Sequence, residues 1–385
     1  MVKVLIITNL LPIPEIEAKK NENDILFITE DQVKRNYPET IFKYLYIVPK
    51  ANITLAKVSS RWASYYSLER KGESKIKGRI ISVLGIVQLP KVTPFRTLLY
   101  DISLYLNRKF IRKLIEEYRP TILHAQNSDV DAYIAKKVSE KYDIPYVVTL
   151  RGLNRASDAV VKTNINSAKK LVAISPTQLN QAGKLTNKQV QLIPHGVQES
   201  FFNNPSSRPL SSKLKLISVC RLLKLKNLDS VIVALSYLKE DYVFDIYGEG
   251  PEMKNLNSLI EKLGLCDKIH LKGLVPHSKL LEVFKLYDLF IMPSFPETLG
   301  RVYFEAMASG LPVIGSKNTG IDGIISNGEE GFLIEPQDED ELQSVLIYAN
   351  NNRLHLRVMG ENAFNLAQKY SWQTIIPKLQ EIYSC

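Results

Sequence analysis

Cysteine is scarce in this chain of 385 residues: Cys220, Cys266 and Cys385 are scattered and odd in number. They supply neither a disulfide framework nor a metal-ligand spacing. Long apolar runs are also missing. No segment approaches the roughly 18 residues of a membrane-spanning helix, and the longest candidate, residues 80 to 89, is interrupted by Ser82, Gly85 and Gln88. The opening MVKVLIITN is too short an apolar run for a signal peptide before Thr8 and Asn9 break it. A protein of the cytoplasm is the resulting expectation. No GxGxxG stretch occurs, which disfavours a nicotinamide dinucleotide enzyme. Low-complexity tracts, internal repeats and any Ser/His/Asp or Cys/His set are absent from the sequence as well.

What is present has the balance of a folded protein, with 45% hydrophobic and 23% charged residues. At about 100 to 200 residues per domain, the length predicts two. The net charge of +10 is unevenly spread: residues 57 to 119 hold fourteen Lys and Arg against five Asp and Glu. Trp62, Tyr65, Tyr66, Phe95 and Tyr100 are interleaved with these cations. A solvated helical face accounts for such a stretch, and so does contact with an anionic membrane surface or a phosphorylated acceptor. Nucleic acid would meet the same charge, but no recognised nucleic-acid module accompanies it.

Short apolar, β-branched runs alternate with helix-length segments, the pattern of parallel sheets covered by helices. Strands are predicted at residues 2–7, 42–48, 121–124, 145–150, 170–175 and 190–193. A second series lies at 214–219, 242–247, 268–271, 289–292, 312–315 and 331–334. Helices are predicted at 25–34, 61–70, 101–118, 131–141 and 372–383. The stretch 199–213, rich in Ser, Asn and Pro, is the best linker. It divides a domain over 1–198 from one over 214–365, and residues 366–385 are expected to return to the first domain. Two doubly wound domains would face each other across a cleft.

Residues 288 to 312, DLFIMPSFPETLGRVYFEAMASGLP, read as strand, loop and helix. Glu297 falls in the loop and Glu305 a turn into the helix. In open α/β sheets that position binds ligands beside a helix N-terminus that favours anions. Two carboxylates there call for a ligand carrying hydroxyls as well as phosphate, and a sugar nucleotide has both. Arg221 and Lys226 follow the first strand of the second domain, where a bidentate guanidinium and a point charge suit a diphosphate. Gly248 and Gly250, in YGEGPE, let the backbone approach a ligand after the next strand. His124 and His195 each follow a predicted strand of the first domain, where a lone His is ordinarily a structural hydrogen-bonder.

These residues, in this order, resemble the retaining glycosyltransferases of family four, with the GT-B fold of two Rossmann-like domains. The resemblance rests on IPHGV at 193–197, Arg221 with Lys226 and Asn227, YGEGPE at 247–252 and GLVPHSKL at 273–280. ETLGRVYFE at 297–305, with the family's E-x7-E spacing, and NGEEGFLIEP at 327–336 continue it. The resemblance implies that Arg221 and Lys226 bind the donor diphosphate, that Glu297 contacts the donor sugar and that Glu305 contacts the ribose hydroxyls. Val275 falls in the loop that would hold the base, while Leu299, Gly300 and Arg301 fall in the donor loop. His124, in ILHAQ, matches the first His of an HAH-like sequence near the transferred sugar. Three segments depart from the pattern. LLPIPEIEAKKNEND replaces a glycine-rich first loop, Gln126 stands at the second His, and Arg151 opens RGLN where an Asp is usual.

The implied activity is retaining, metal-independent transfer of a hexosyl group from a UDP- or GDP-type donor to a saccharide or lipid-linked acceptor, in bacterial cell-surface polysaccharide or glycolipid assembly. Glu297, His124, Arg221 and Lys226 would be its catalytic groups, with no cofactor, no metal and no nucleic-acid partner. A sugar-nucleotide epimerase, which would form product from donor alone, and a non-catalytic sugar-binding subunit are the alternatives.

Overall fold

The structure, a computed structural model, describes residues 1–11, 25–87, 95–151, 158–202 and 212–384. The chain divides into two compact units. One comprises Met1–Ile174, Gln178–Ile193 and Ile376–Cys385, and the other Ser175–Thr177 and Pro194–Ile375. The C-terminal helix Trp372–Tyr383 therefore begins in the second unit and ends in the first.

The first unit is built on eight strands: β1 (Lys3–Thr8), β2 (Ile41–Pro49), β3 (Glu73–Ile76), β4 (Arg79–Ile86), β5 (Ile122–Ala125), β6 (Tyr146–Leu150), β7 (Lys170–Ala173) and β8 (Val190–Leu192). Their order is β3-β4-β2-β1-β5-β6-β7-β8. All neighbours run parallel except β3, which pairs antiparallel with β4 at the edge. The near-continuous burial of β1, β5 and β6 is that of parallel strands covered on both faces.

The hairpin β3–β4 is not predicted from the sequence. Lys77 and Gly78 between the strands both have positive φ, 47° and 82°, the requirement of a two-residue turn whose twist matches the strands. The helix predicted over 101–118 is two helices, Arg96–Leu106 and Arg108–Tyr118. The break falls at Asn107, whose side-chain amide donates to the Ser103 carbonyl at 2.9 Å, the local competition with helix bonds typical of Asn.

The second unit holds β9 (Leu214–Val219), β10 (Tyr242–Tyr247), β11 (Ile269–Gly273), β12 (Leu289–Ile291), β13 (Val313–Ser316) and β14 (Gly331–Ile334). All six are parallel, in the order β11-β10-β9-β12-β13-β14. This is the doubly wound order that reverses direction once, between β9 and β12. The loops leaving the carboxyl ends of those two strands carry residues 220–227 and 292–300. The fold class expected from the sequence, two doubly wound α/β domains, is the one found.

Candidate donor site in the second unit

Three loops at the carboxyl edge of the second sheet are fastened to one another through their backbones. The Cys220 N–H donates to the Tyr247 carbonyl at 3.0 Å, Leu222 N–H to Glu249 O at 2.9 Å, and Gly248 N–H to Gly273 O at 2.7 Å. Such closeness is open only to glycine. A Cβ on Gly248 would lie 1.8 Å from the Cys220 carbonyl oxygen, and one on Gly250 2.1 Å from that of Leu222. Gly248 also has φ 141°, which L side chains rarely adopt. The sequence-predicted glycines therefore set the loop spacing.

The loop after β12 is tied to the loop after β9. Phe295 N–H donates to Leu225 O at 2.8 Å. Lys226 Nζ lies 2.5 Å from Glu297 Oε2, both side chains about one-seventh exposed. The other Glu297 oxygen accepts the Thr298 N–H at 3.0 Å, and the Glu297 carbonyl accepts Gly320 N–H at 3.0 Å. Lys226 ends a 3-10 turn, Lys224–Lys226, which Asn227 closes in the left-handed region with φ 54°. Arg221 is exposed and enters no ion pair with the described residues, so its guanidinium is open to an anion. Gly300, φ 71°, is the N-cap of the helix Arg301–Ala308 and has no side chain to cap it. Leu299 is buried, and Arg301 is half-buried.

Glu305 lies on that helix, and its Oε1 is 2.9 Å from His277 Nε2. His277 follows Val275 in the loop after β11, and the Phe201 ring packs against its imidazole at 5.2 Å, near edge-to-face. His277 is the residue that sequence reasoning missed. It stands inside GLVPHSKL, but its partner is known only once β11 and the helix Arg301–Ala308 are placed together. Burial pushes the Cys220 thiol up to about 12, which disfavours the thiolate that a nucleophile needs.

His124 lies in the first unit, on β5, and is buried. Its Nδ1 is 2.8 Å from the Tyr383 hydroxyl and its Nε2 2.7 Å from Thr149 Oγ1. Burial, with the Arg151 charge as the smaller cause, lowers the imidazole to about 3. In this geometry the ring is a neutral clamp on the C-terminal helix, with both nitrogens occupied. Gln126 is buried beside it and accepts from Arg151 Nη2 at 3.0 Å. Asp131 accepts the Asn9 N–H at 3.3 Å, and burial holds its carboxyl well above the usual carboxylate range. Residues 12–24 and 152–154, the first loop and most of RGLN, lie outside the described residues.

Of the basic stretch, not every member reaches a surface. Tyr100 is in the core against Tyr133, and Arg96 is buried with Nη2 2.5 Å from Asp158. Arg79 pairs with Glu30 and Asp31, while Phe95 is exposed. No described helix is long and apolar enough to cross a membrane.

Known proteins agree with this architecture. A model of the glycosyl transferases group 1 matches residues 201–366, and a model of glycosyltransferase family 4 matches residues 65–201, so the two run without a break from 65 to 366. The chain belongs to the group 1 glycosyl transferases. This glycosyl transferase is 28% identical over 321 residues to the sulfoquinovosyl transferase SQD2 of Arabidopsis thaliana, a match covering 74% of this chain and 60% of that protein. Among solved structures it superposes on sucrose-phosphate synthase from Thermosynechococcus elongatus with a TM-score of 0.73 at 15% identity, covering 100% of this chain and 98% of that one. Anabaena HepE, solved with UDP and glucose, gives 0.69 at 17% identity, with 100% of both chains covered. At those identities the likeness is one of fold, and the fold is GT-B.

Proposed function

We propose that this glycosyl transferase moves a hexosyl group from a nucleotide-sugar donor to an acceptor hydroxyl with retention at the anomeric carbon. The observation that carries the reading is the meeting of Lys226 with Glu297 at the strand-order reversal, beside the open guanidinium of Arg221. Arg221 and Lys226 take the diphosphate, and the first turn of Arg301–Ala308, which follows Gly300, adds backbone N–H groups. As the bond between anomeric carbon and phosphate oxygen breaks, these fixed charges stabilise the departing diphosphate. The acceptor oxygen bonds the same face, and its proton passes to the leaving phosphate oxygen. No protein nucleophile and no metal ion is required. Glu297 reads the sugar hydroxyls, Glu305 the ribose, and the loop bearing Val275 the base.

The donor is of UDP type, which the UDP and glucose bound to HepE support. The role is assembly of bacterial cell-surface polysaccharide or glycolipid on the cytoplasmic side, with the basic stretch of residues 57–119 in peripheral contact with anionic lipid. A thermal-shift panel of UDP-, GDP- and ADP-sugars tests the donor site, with stabilisation by UDP-sugars expected. Stabilisation by none of them overturns it. Vesicle flotation with and without phosphatidylglycerol tests the membrane contact, and equal recovery refutes it.

A further inference from the structure

The first unit carries a groove whose lining includes none of the residues assigned above to sugar transfer. It lies between the helices Arg96–Leu106, Arg108–Tyr118 and Val130–Tyr142 and encloses about 330 Å³, within the size range of ligand pockets. Leu104, Tyr105, Ile111, Val138 and Tyr142 form its walls. The Tyr142 hydroxyl is buried and has no hydrogen-bond partner.

The rim is cationic. Arg108, Lys137 and Lys141 stand there against one carboxylate, Asp101. The Arg108 guanidinium is 4.2 Å from the Tyr105 ring centroid, the Lys141 ammonium 5.4 Å from that of Tyr142, and Lys137 Nζ 3.4 Å from Asp101. Beside the groove the helix Arg96–Leu106 shows solvent an apolar stripe: Leu98, Ile102, Tyr105 and Leu106 are 54%, 44%, 65% and 59% exposed. A helix of a soluble domain turns such a stripe inward. One left outward beside cations fits a surface with apolar interior and anionic rim.

We propose that this groove binds the hydrocarbon chain of an anionic lipid, with the lipid phosphate among Arg108, Lys137 and Lys141 and the Leu98–Ile102–Leu106 stripe set in the surrounding bilayer interface. The groove makes the membrane contact proposed above a specific one: a chain occupies the apolar walls, and a guanidinium with two ammonium groups selects phosphate over a neutral headgroup.

The test is calorimetric titration of the full chain with dodecyl phosphate below its critical micelle concentration, beside dodecyl maltoside and inorganic phosphate. No vesicle and no sugar donor is present, so failure here is separate from failure of vesicle flotation or of sugar transfer. Dodecyl phosphate is expected to bind one per chain, dodecyl maltoside several-fold more weakly, and inorganic phosphate not measurably. Val138→Trp, which fills the groove, should weaken dodecyl phosphate about tenfold, the equivalent of roughly two buried methylenes. If melting shows that variant unfolded, the exposed double reversal Arg108→Glu/Lys141→Glu decides: dodecyl phosphate loses affinity while dodecyl maltoside keeps it. The proposal is overturned if inorganic phosphate binds as well as dodecyl phosphate, if the double reversal changes nothing, or if sedimentation shows a lipid-free dimer that covers the stripe.

Discussion

Lys226 and Glu297, 71 residues apart in the chain, meet at 2.5 Å. The contact joins the loops on either side of the strand-order reversal. It also means that the ammonium assigned to the donor diphosphate is already held by the carboxylate assigned to the donor sugar. Both side chains are largely withdrawn from water, so the pair is less screened than a surface ion pair.

Lys226→Ala is expected to reduce transfer by about 10² to 10³, the usual loss when one preorganised charge-stabilising group is removed. Steady-state transfer from a UDP-sugar measures it. Near-normal turnover by a folded variant would remove Lys226 from the diphosphate site.

Glu297→Gln separates the two functions of the pair. It frees the ammonium, so UDP alone should bind roughly three- to tenfold tighter, the equivalent of about 1 kcal/mol for releasing the pair. Sugar transfer should fall in the same variant. Weaker UDP binding in calorimetry would show that Glu297 orients Lys226 rather than competing for it.

His277 is expected to act through Glu305, which it meets at 2.9 Å. Removing its hydrogen bond to a carboxylate should weaken nucleotide binding about tenfold to a hundredfold. His277→Ala is therefore expected to raise the KM for donor far more than it lowers kcat, and His277→Gln should restore part of the loss. A fall in kcat alone, with KM unmoved, argues against this positioning role.

Two buried groups in the first unit give stability opposite dependences on pH. His124, lowered to about 3 from an ordinary 6.5, stays neutral in the fold while the unfolded chain takes up a proton. Its contribution is complete above pH 6.5 and is lost on acidification, at up to about 1.4 kcal/mol per pH unit. Asp131, raised well above 3.8, stays protonated in the fold while the unfolded chain releases a proton. Its contribution is complete at low pH and is lost as pH rises through the folded value. The slopes offset one another from about pH 4 up to the lower of pH 6.5 and the folded Asp131 value. Asp131→Asn should therefore steepen the acid loss of the urea midpoint across that window. An unchanged slope would place the Asp131 carboxyl near its ordinary range.

The loops that form the candidate donor site were largely legible in the sequence. Gly248 and Gly250 stand where only glycine fits, and buried parallel strands announce themselves as apolar, β-branched runs. The edge hairpin was not legible, because Lys77 and Gly78 reveal a turn only through their backbone angles. The helix break at Asn107 was hidden for a like reason, as a single side chain bonding backward decides it.

Periodicity and loop residues are properties of neighbours along the chain, so the sequence by itself determined the two doubly wound domains and the stations of Arg221, Lys226, Glu297 and Glu305. Pairing is a property of neighbours in space. Only the tertiary structure decided that Lys226 is held by Glu297, that Glu305 has His277, that His124 clamps the C-terminal helix with both nitrogens occupied, and that Tyr100 turns inward while Leu98 and Ile102 face out. Each of these depends on which strand lies beside which and on which helix face meets the sheet, and the register of a single stretch carries no record of either.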